Sequence, residues 1–74
     1  MTLLDAPLGK TVIIIDYRGG KGVYSKLRQL GLTPGRKVKV LRYAPLGGPL
    51  MVDVGGRSVA LGRGIADRVH IEVR

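Results

Sequence analysis

The spacing of apolar residues changes along this chain of 74 residues and separates a strand, a helix and a strand-rich remainder. Thr11–Asp16 is a compact β-branched run, which is typical of a strand. Because its apolar residues are consecutive, the pattern predicts a strand that is covered on both faces. Val23, Leu27 and Leu30 then fall on one stripe of a helix. A helix of about eight residues is marginal alone, so we expect this one to pack on the sheet.

The end of the predicted helix carries the strongest local signal, the run Leu30-Gly31-Leu32-Thr33-Pro34-Gly35. Gly31 stands where a helix C-terminus favours a left-handed backbone conformation, which glycine adopts without a steric penalty. Pro34 cannot continue the helix because it lacks an amide donor. With Gly35 it supplies the favoured central pair of a type II turn. We therefore expect the helix to end here and strands to follow.

After the turn, apolar and polar residues alternate, as they do in a β-strand with one buried face. Val38 and Val40 alternate with two lysines, which places the valines inward and the lysines outward. Tyr43–Pro49 has the composition of a loop. The segments Leu50–Val54 and Arg57–Leu61 are separated by two glycines alone. This spacing predicts a hairpin with a type I′ turn.

The last part of the chain predicts one more strand. Gly62–Asp67 is long enough for a turn or one helical turn, and the alternation that follows places Val69, Ile71 and Val73 inward. The whole pattern is mainly β and predicts a small, partly closed barrel of about five strands, with one short α-helix inserted after the first strand. We expect the last strand to pair with the first, which would remove two open edges. Residues 1–74 form a single domain at this length.

The composition limits the chemistry available to the chain. Thirteen Lys and Arg against five Asp and Glu give a net charge of +8, which predicts an anionic partner. Cysteine is absent, so disulfides and thiolate ligands are excluded. No apolar run approaches the ~20 residues of a transmembrane helix, and no signal peptide is visible. We therefore expect a cytoplasmic protein.

No residue pattern predicts catalysis, a cofactor or a metal site. His70 is the one histidine; it is predicted to face solvent beside Glu72, short of the ligands that a durable transition-metal site needs. The glycine-rich run Arg18–Gly22 precedes the helix, but Val23 stands where a phosphate loop requires Ser or Thr. The serines lack an obvious base. We expect a non-enzyme without a cofactor or metal.

In their order and spacing these motifs resemble the FeoA family, the small accessory proteins of ferrous iron uptake in bacteria and archaea. Leu27–Gly35 is similar to the family's R-L-x-x-L-G-L-x-P-G core. Gly48-Pro49-Leu50 resembles the family's step into a strand. Gly56–Leu61, with the Val69–Val73 tail, completes a match over nearly the whole chain.

The resemblance implies an SH3-like β-barrel with a role in iron transport. It implies a non-catalytic cytosolic protein that binds and modulates FeoB, the membrane ferrous-iron transporter with a GTPase domain, on the transporter's cytoplasmic side. No small-molecule substrate is expected, and the membrane is contacted only through the transporter. Where the family's helix usually carries Arg-Leu, this chain has Lys26-Leu27. That change keeps the charge and alters the hydrogen-bonding geometry, which bears on any bidentate contact at Lys26.

We place the partner contact on the exposed side of Tyr24–Arg28 in the predicted helix and on the loop Tyr43–Pro49, because interaction residues concentrate on loops held by a rigid scaffold. Lysines around these segments are predicted to steer the encounter. The candidate partner-binding residues are Lys21, Tyr24, Lys26, Arg28, Lys37, Lys39, Tyr43, Leu46 and Pro49.

Other functions and assemblies stay open at this point. One is a small basic nucleic-acid-binding barrel, although such a barrel would ordinarily add stacking aromatics to its basic patch. Another is a metal-responsive regulatory SH3-like domain, of the kind found at the C-terminus of iron- and manganese-dependent repressors. A homo-oligomer is compatible with the pattern as well.

Overall fold

The elements predicted from the sequence are present in the computed structural model, which describes residues 1–74, and a short 3₁₀ turn near the start of the chain is added to them. In chain order they are a 3₁₀ turn (Leu3–Asp5), β1 (Thr11–Tyr17), α1 (Lys21–Gln29), β2 (Lys37–Tyr43), β3 (Leu50–Val54), β4 (Arg57–Leu61), α2 (Arg63–Ala66) and β5 (Val69–Val73). The five strands form one antiparallel sheet in the order β4-β3-β2-β1-β5.

The end of α1 is determined by the glycine that the sequence singled out. Leu30 is the C-cap, and Gly31 follows it with a φ of 80°. The Gly31 amide donates to the carbonyl of Arg28 at 3.1 Å, and the Leu32 amide donates to the carbonyl of Leu27 at 2.9 Å. These two bonds form a Schellman motif, whose left-handed residue is best provided by glycine. The predicted helix end is confirmed.

The Pro-Gly turn ties the end of the helix to the first strand. The Arg36 amide donates to the Thr33 carbonyl at 3.0 Å, and Gly35 has a φ of 88°, as a type II turn requires. The Gly35 amide donates to the Ile14 carbonyl at 2.7 Å, and the Ile14 amide donates to the Arg36 carbonyl at 3.0 Å. The turn is therefore anchored on β1 before β2 begins.

One aliphatic core lies on the inner side of the curled sheet. The buried residues are all apolar: Leu3, Ala6, Val12, Ile14, Leu27, Leu32, Val38, Val40, Leu50, Val52, Val54, Val59, Leu61, Ala66, Val69 and Ile71. The helix contributes Leu27, and Val23 and Leu30 pack against the same core. The lysines that alternate with the buried valines of β2 are exposed, as predicted.

Two predictions of burial are wrong. β1 is not covered on both faces, because Ile15 is 43% exposed while Val12 and Ile14 are buried. The register of β1 and β5 shifts between Ile14 and Asp16, so Ile15 lies at a bulge on the side away from the core. Val73 was expected inward and is 48% exposed, because it is the last residue of the outer strand β5.

The pairing of the last strand with the first is confirmed, but it does not remove two open edges. β4 and β5 remain the outer strands of the sheet. At β5 the Ile71 amide donates to the Met1 carbonyl at 2.9 Å, and Thr2 forms a bridge with His70. The N-terminal residues therefore cover part of that edge. No backbone hydrogen bond outside the sheet ladders involves residues 57–61, so the outer edge of β4 is open.

The hairpin of β3 and β4 is confirmed. Gly55 and Gly56 have φ values of 62° and 89°, which a type I′ turn requires at both central positions. The side chain of Asp53 accepts a bond from the Gly56 amide at 3.0 Å. The Arg57 guanidinium donates to the Leu30 carbonyl at 3.1 Å, which joins the hairpin to the end of α1. The predicted turn or helical turn after β4 is the short helix α2.

Gly31→Ala is expected to lower the free energy of unfolding by at least ~1 kcal/mol, because a left-handed backbone conformation is costly for alanine. Its Cβ would also lie 2.9 Å from Nη2 of Arg57. The matched control is Gly22→Ala in the first turn of the same helix, where a Cβ meets no atom within 4 Å. That change is expected to raise the free energy of unfolding by ~0.5–1 kcal/mol. Urea unfolding followed by circular dichroism measures both, and an unchanged Gly31→Ala protein would contradict the proposed cap.

Candidate functional site

The residues predicted to bind a partner lie on two surfaces at opposite ends of the sheet. β1 and β2 are antiparallel, with Val12 opposite Val38. Tyr17 at the end of β1 and Tyr43 at the end of β2 therefore lie at opposite ends of the strand pair. The exposed side of α1 and the loop after β2, both predicted to contact the partner, are therefore separate surfaces.

The first surface, which we call the helix groove, lies between α1, the end of β1 and the Pro-Gly turn. It has a volume of about 380 Å³ and is lined by Asp16, Tyr17, Tyr24, Arg28, Thr33 and Pro34. A neighbouring depression of about 370 Å³ shares Tyr24 and Arg28 and adds Lys21 and Ser25. Three of the predicted residues thus come together. Lys26 is exposed on the same helix but lines neither depression.

Two tyrosines pack together at the helix groove. Their ring centroids are 4.9 Å apart, and the ring planes of Tyr17 and Tyr24 meet at 67°. This edge-to-face geometry is favourable for aromatic pairs. The Tyr24 hydroxyl also donates to the Tyr17 carbonyl at 3.2 Å, so the Tyr24 ring is held in place. Tyr17 was not among the predicted partner-binding residues, because its contact with the helix depends on how β1 turns into α1.

The second surface is the loop of residues 44–49, which we call the 44–49 loop, and Tyr43 fastens its beginning. The Tyr43 hydroxyl lies 3.0 Å from the carbonyl of Leu4 and 3.0 Å from the carbonyl of Ala6. The ring is half-buried against the core. The polar end of Tyr43 is therefore used within the molecule, and this side chain supports the loop.

Arg63 on α2 fastens both halves of the 44–49 loop. Its Nε donates to the Gly48 carbonyl at 2.9 Å, and its Nη2 donates to the Ala44 carbonyl at 3.4 Å. The guanidinium carbon also lies 5.8 Å from the centroid of the Tyr43 ring, a cation–π contact. Sequence reasoning missed Arg63, because no local pattern links a residue of α2 to a loop that precedes it by two strands.

The 44–49 loop presents Leu46 at its tip. Within the loop the Ala44 amide donates to the Pro49 carbonyl at 2.9 Å, and the Gly48 amide donates to the Pro45 carbonyl at 3.1 Å. Leu46 is fully exposed, and it is the one residue other than glycine with a positive φ, 59°. A left-handed leucine costs about 1–2 kcal/mol. Stability of the fold does not explain a strained residue whose apolar side chain lies entirely in solvent.

The two predicted strand lysines are exposed on β2, between these surfaces. Lys39 lies opposite Asp53 on β3, and Lys37 lies opposite Ile13 on β1. Opposite charges across neighbouring strands attract one another. Lys37 thus has no acidic residue opposite it on β1.

No group of three or more His, Asp or Glu side chains is placed to hold a metal ion. His70 is half-buried on β5, opposite Asp16 on β1 and bridged to Thr2. Neither helix has the length and hydropathy needed to cross a membrane. The groups that the surfaces do offer are aromatic rings, cations and one apolar side chain, which suit recognition of another molecule.

The chain matches proteins of iron transport over nearly its whole length. The family model described as the FeoA domain matches residues 1–73. Fe(2+) transport protein A of Methanocaldococcus jannaschii is 33% identical over 70 residues, which are 95% of this chain and 83% of that protein.

Solved structures agree with this match. A crystal structure of an iron uptake regulatory protein, FeoA, superposes with a TM-score of 0.92 at 35% identity, over 100% of this chain and 97% of that chain. The zinc complex of FeoA from Stenotrophomonas maltophilia, described as a prokaryotic SH3 domain protein, gives a TM-score of 0.76 at 32% identity, over 97% of this chain and 89% of that chain. The predicted SH3-like fold is confirmed.

Leu46→Asn is expected to raise the free energy of unfolding by ~0.5–1 kcal/mol, because asparagine tolerates the left-handed region and no buried surface is lost. The control is Leu8→Asn, since Leu8 is also exposed, at 53%, and has no positive φ. That variant is expected to be no more stable than the parent. Urea unfolding measures both proteins, and a destabilised Leu46→Asn protein would show that this leucine packs on the domain.

Proposed function

The chain belongs to the FeoA family, and we propose that it is a cytoplasmic, non-catalytic accessory protein of ferrous iron uptake that binds the cytoplasmic side of the transporter FeoB. It modulates the conformational or GTPase cycle of the transporter through protein–protein contacts. A ligand shifts such a cycle only by binding one state more tightly than another. The 44–49 loop, with Leu46 at its tip, is the observation on which the proposal rests.

The 44–49 loop has the properties of a preformed docking element. Its base is held by Arg63 and by internal hydrogen bonds, so little conformational freedom remains to be lost on binding. Burial of a leucine side chain contributes about 1.5–3 kcal/mol. Leu46 is the residue that would enter a pocket of the partner. Tyr43 and Pro49, both predicted to bind the partner, then act chiefly by holding the loop in position.

The cations contribute to the encounter more than to the final contact. The net charge is +8, and the side chains of Lys21 and Arg28 make no hydrogen bond within the protein. Both line the depressions beside α1, where they can meet carboxylates of a partner. Complementary charge of this kind raises association rates more than it slows dissociation.

Leu46→Asn is expected to weaken binding to FeoB about ten- to a hundredfold, because the buried apolar contact is lost. The measurement is titration of purified, detergent-solubilised FeoB by calorimetry. Leu8→Asn serves as the control and is expected to bind as the parent does. Because Leu46→Asn is not expected to destabilise the fold, weaker binding by this variant cannot be attributed to unfolding. An affinity equal to the parent's would contradict the role of the loop.

Arg28→Glu is expected to slow association with FeoB about tenfold at low salt and to change dissociation little. Lys26→Glu makes the same change of charge on the same helix, outside the groove, and is expected to have a smaller effect. Stopped-flow or surface-based kinetics at two salt concentrations measure both. If the two variants slow association equally, net charge alone accounts for the steering.

The net charge of +8 favours nucleic-acid binding, but the aromatic side chains do not. Tyr17 and Tyr24 pack edge-to-face on one another, and the Tyr43 hydroxyl is bonded inward. Stacking of bases needs free aromatic faces. If the parent binds a labelled oligonucleotide, with a log–log salt slope of about −0.9 per phosphate, nucleic-acid binding replaces the proposal.

A further inference from the structure

The outer edge of β4 offers unused hydrogen-bonding groups. The type I′ turn makes Val54 and Arg57 a hydrogen-bonded pair, and such pairs recur at every second residue of an antiparallel ladder. Val59 and Leu61 therefore bond to β3. The amides and carbonyls of the residues between them, Ser58 and Ala60, point away from β3.

Nothing in the molecule covers these groups. No backbone bond outside the ladders involves residues 57–61, and both Ser58 and Ala60 are exposed. The opposite edge of the sheet, β5, is partly covered, because Met1 and Thr2 lie along it. One edge of the sheet is thus partly blocked by the chain itself, and the other is left free.

The devices that usually protect an edge strand are also missing from the centre of β4. Proteins protect exposed edges with charged side chains, prolines, bulges or covering segments. β4 pairs with β3 without a bulge, and its outward side chains at positions 58 and 60 are small and neutral. The charged residue at its start, Arg57, is directed to the Leu30 carbonyl. A further strand could therefore approach without meeting a charge or a bulky group.

We infer that the edge of β4 takes up an extended, carboxylate-bearing segment of the partner protein as a sixth strand of the sheet. Strand addition of this kind gains affinity from main-chain hydrogen bonds. The inference rests on the proposed function, because the segment belongs to the same partner that receives Leu46. The two contacts are continuous: Leu61 at the end of β4 lies opposite Leu50, which directly follows the 44–49 loop.

The charge of the chain identifies the occupant. Thirteen cationic residues against five acidic ones give the domain a net charge of +8, so an acidic segment is attracted to it. A second copy of this chain would bring two domains of the same charge together along their edges. Like charge opposes that pairing.

Amide hydrogen exchange tests the strand addition directly. In the free protein the amides of Ser58 and Ala60 should exchange fast, and in the complex with detergent-solubilised FeoB their exchange should slow at least about tenfold, because each gains a backbone hydrogen bond. The Val59 amide is the internal control, since the ladder with β3 already protects it. Unchanged exchange at both positions, with FeoB bound, overturns the inference.

Three substitutions test whether the edge of β4 binds the segment and whether that segment carries negative charge. Ser58→Pro removes an outward-facing amide, at a position where an edge strand tolerates proline, and should weaken FeoB binding about five- to tenfold. Ala60→Glu should weaken binding about tenfold, whereas Ala60→Lys should bind at least as well as the parent. Thermal unfolding verifies that each variant is folded. Equal weakening by Glu and Lys overturns the acidic character of the segment.

The outcomes separate this inference from the proposed function. Binding that depends on Leu46 but leaves Ser58 and Ala60 unprotected overturns the inference and leaves the function standing. If the unmodified protein does not bind FeoB, the inference and the proposed function are both overturned. If the two amides are protected without FeoB, and sedimentation shows a concentration-dependent dimer, the occupant is a second copy and the inference fails.

Discussion

The left-handed backbone at Gly31 brings together parts of the chain that have no other common contact point. It ends α1, returns Leu32 to the core and leads into a turn that bonds on both sides to Ile14. The carbonyl just before it, on Leu30, is reached by Arg57 of the hairpin. The helix, the first two strands and the β3–β4 hairpin therefore meet within a few residues. A single core built only of aliphatic side chains then closes around this junction.

Local chemistry was sufficient for most of the fold. The alternation at Val38 and Val40 and the two glycines of the hairpin each specify a backbone conformation without reference to distant residues. Ile15 and Val73 were misplaced because their burial depends on which face of the sheet is covered and on where the sheet ends. Neither property is a pattern in the sequence. The open edge of β4 was missed for the same reason, since strand order is a property of the whole sheet.

The sequence predicts which residue types lie on the candidate surfaces better than it predicts how those residues are arranged. Lys21, Tyr24 and Arg28 are brought together because α1 is a regular helix, whose faces follow from spacing. Their separation from the 44–49 loop follows from the antiparallel pairing of β1 and β2. Arg63 and Tyr17 shape the two surfaces through contacts between elements, and the chain signals neither role locally. The sequence predicts Leu46 as a partner-binding residue because it lies in a loop. Its left-handed conformation is visible only in the backbone of the structure.

The pairing of β1 with β5 also constrains how the protein reaches its native state. Val12 lies opposite Val73, so β1 acquires its second neighbour from β5, the strand of this sheet that is farthest from it in sequence. Contacts of such long sequence separation slow folding, because the loop entropy must be lost before the contact forms. Until β5 docks, β1 is paired on one side only, with β2. β1 is an inner strand of the sheet, so a chain in which β5 has not yet docked exposes the backbone groups of β1 along one side.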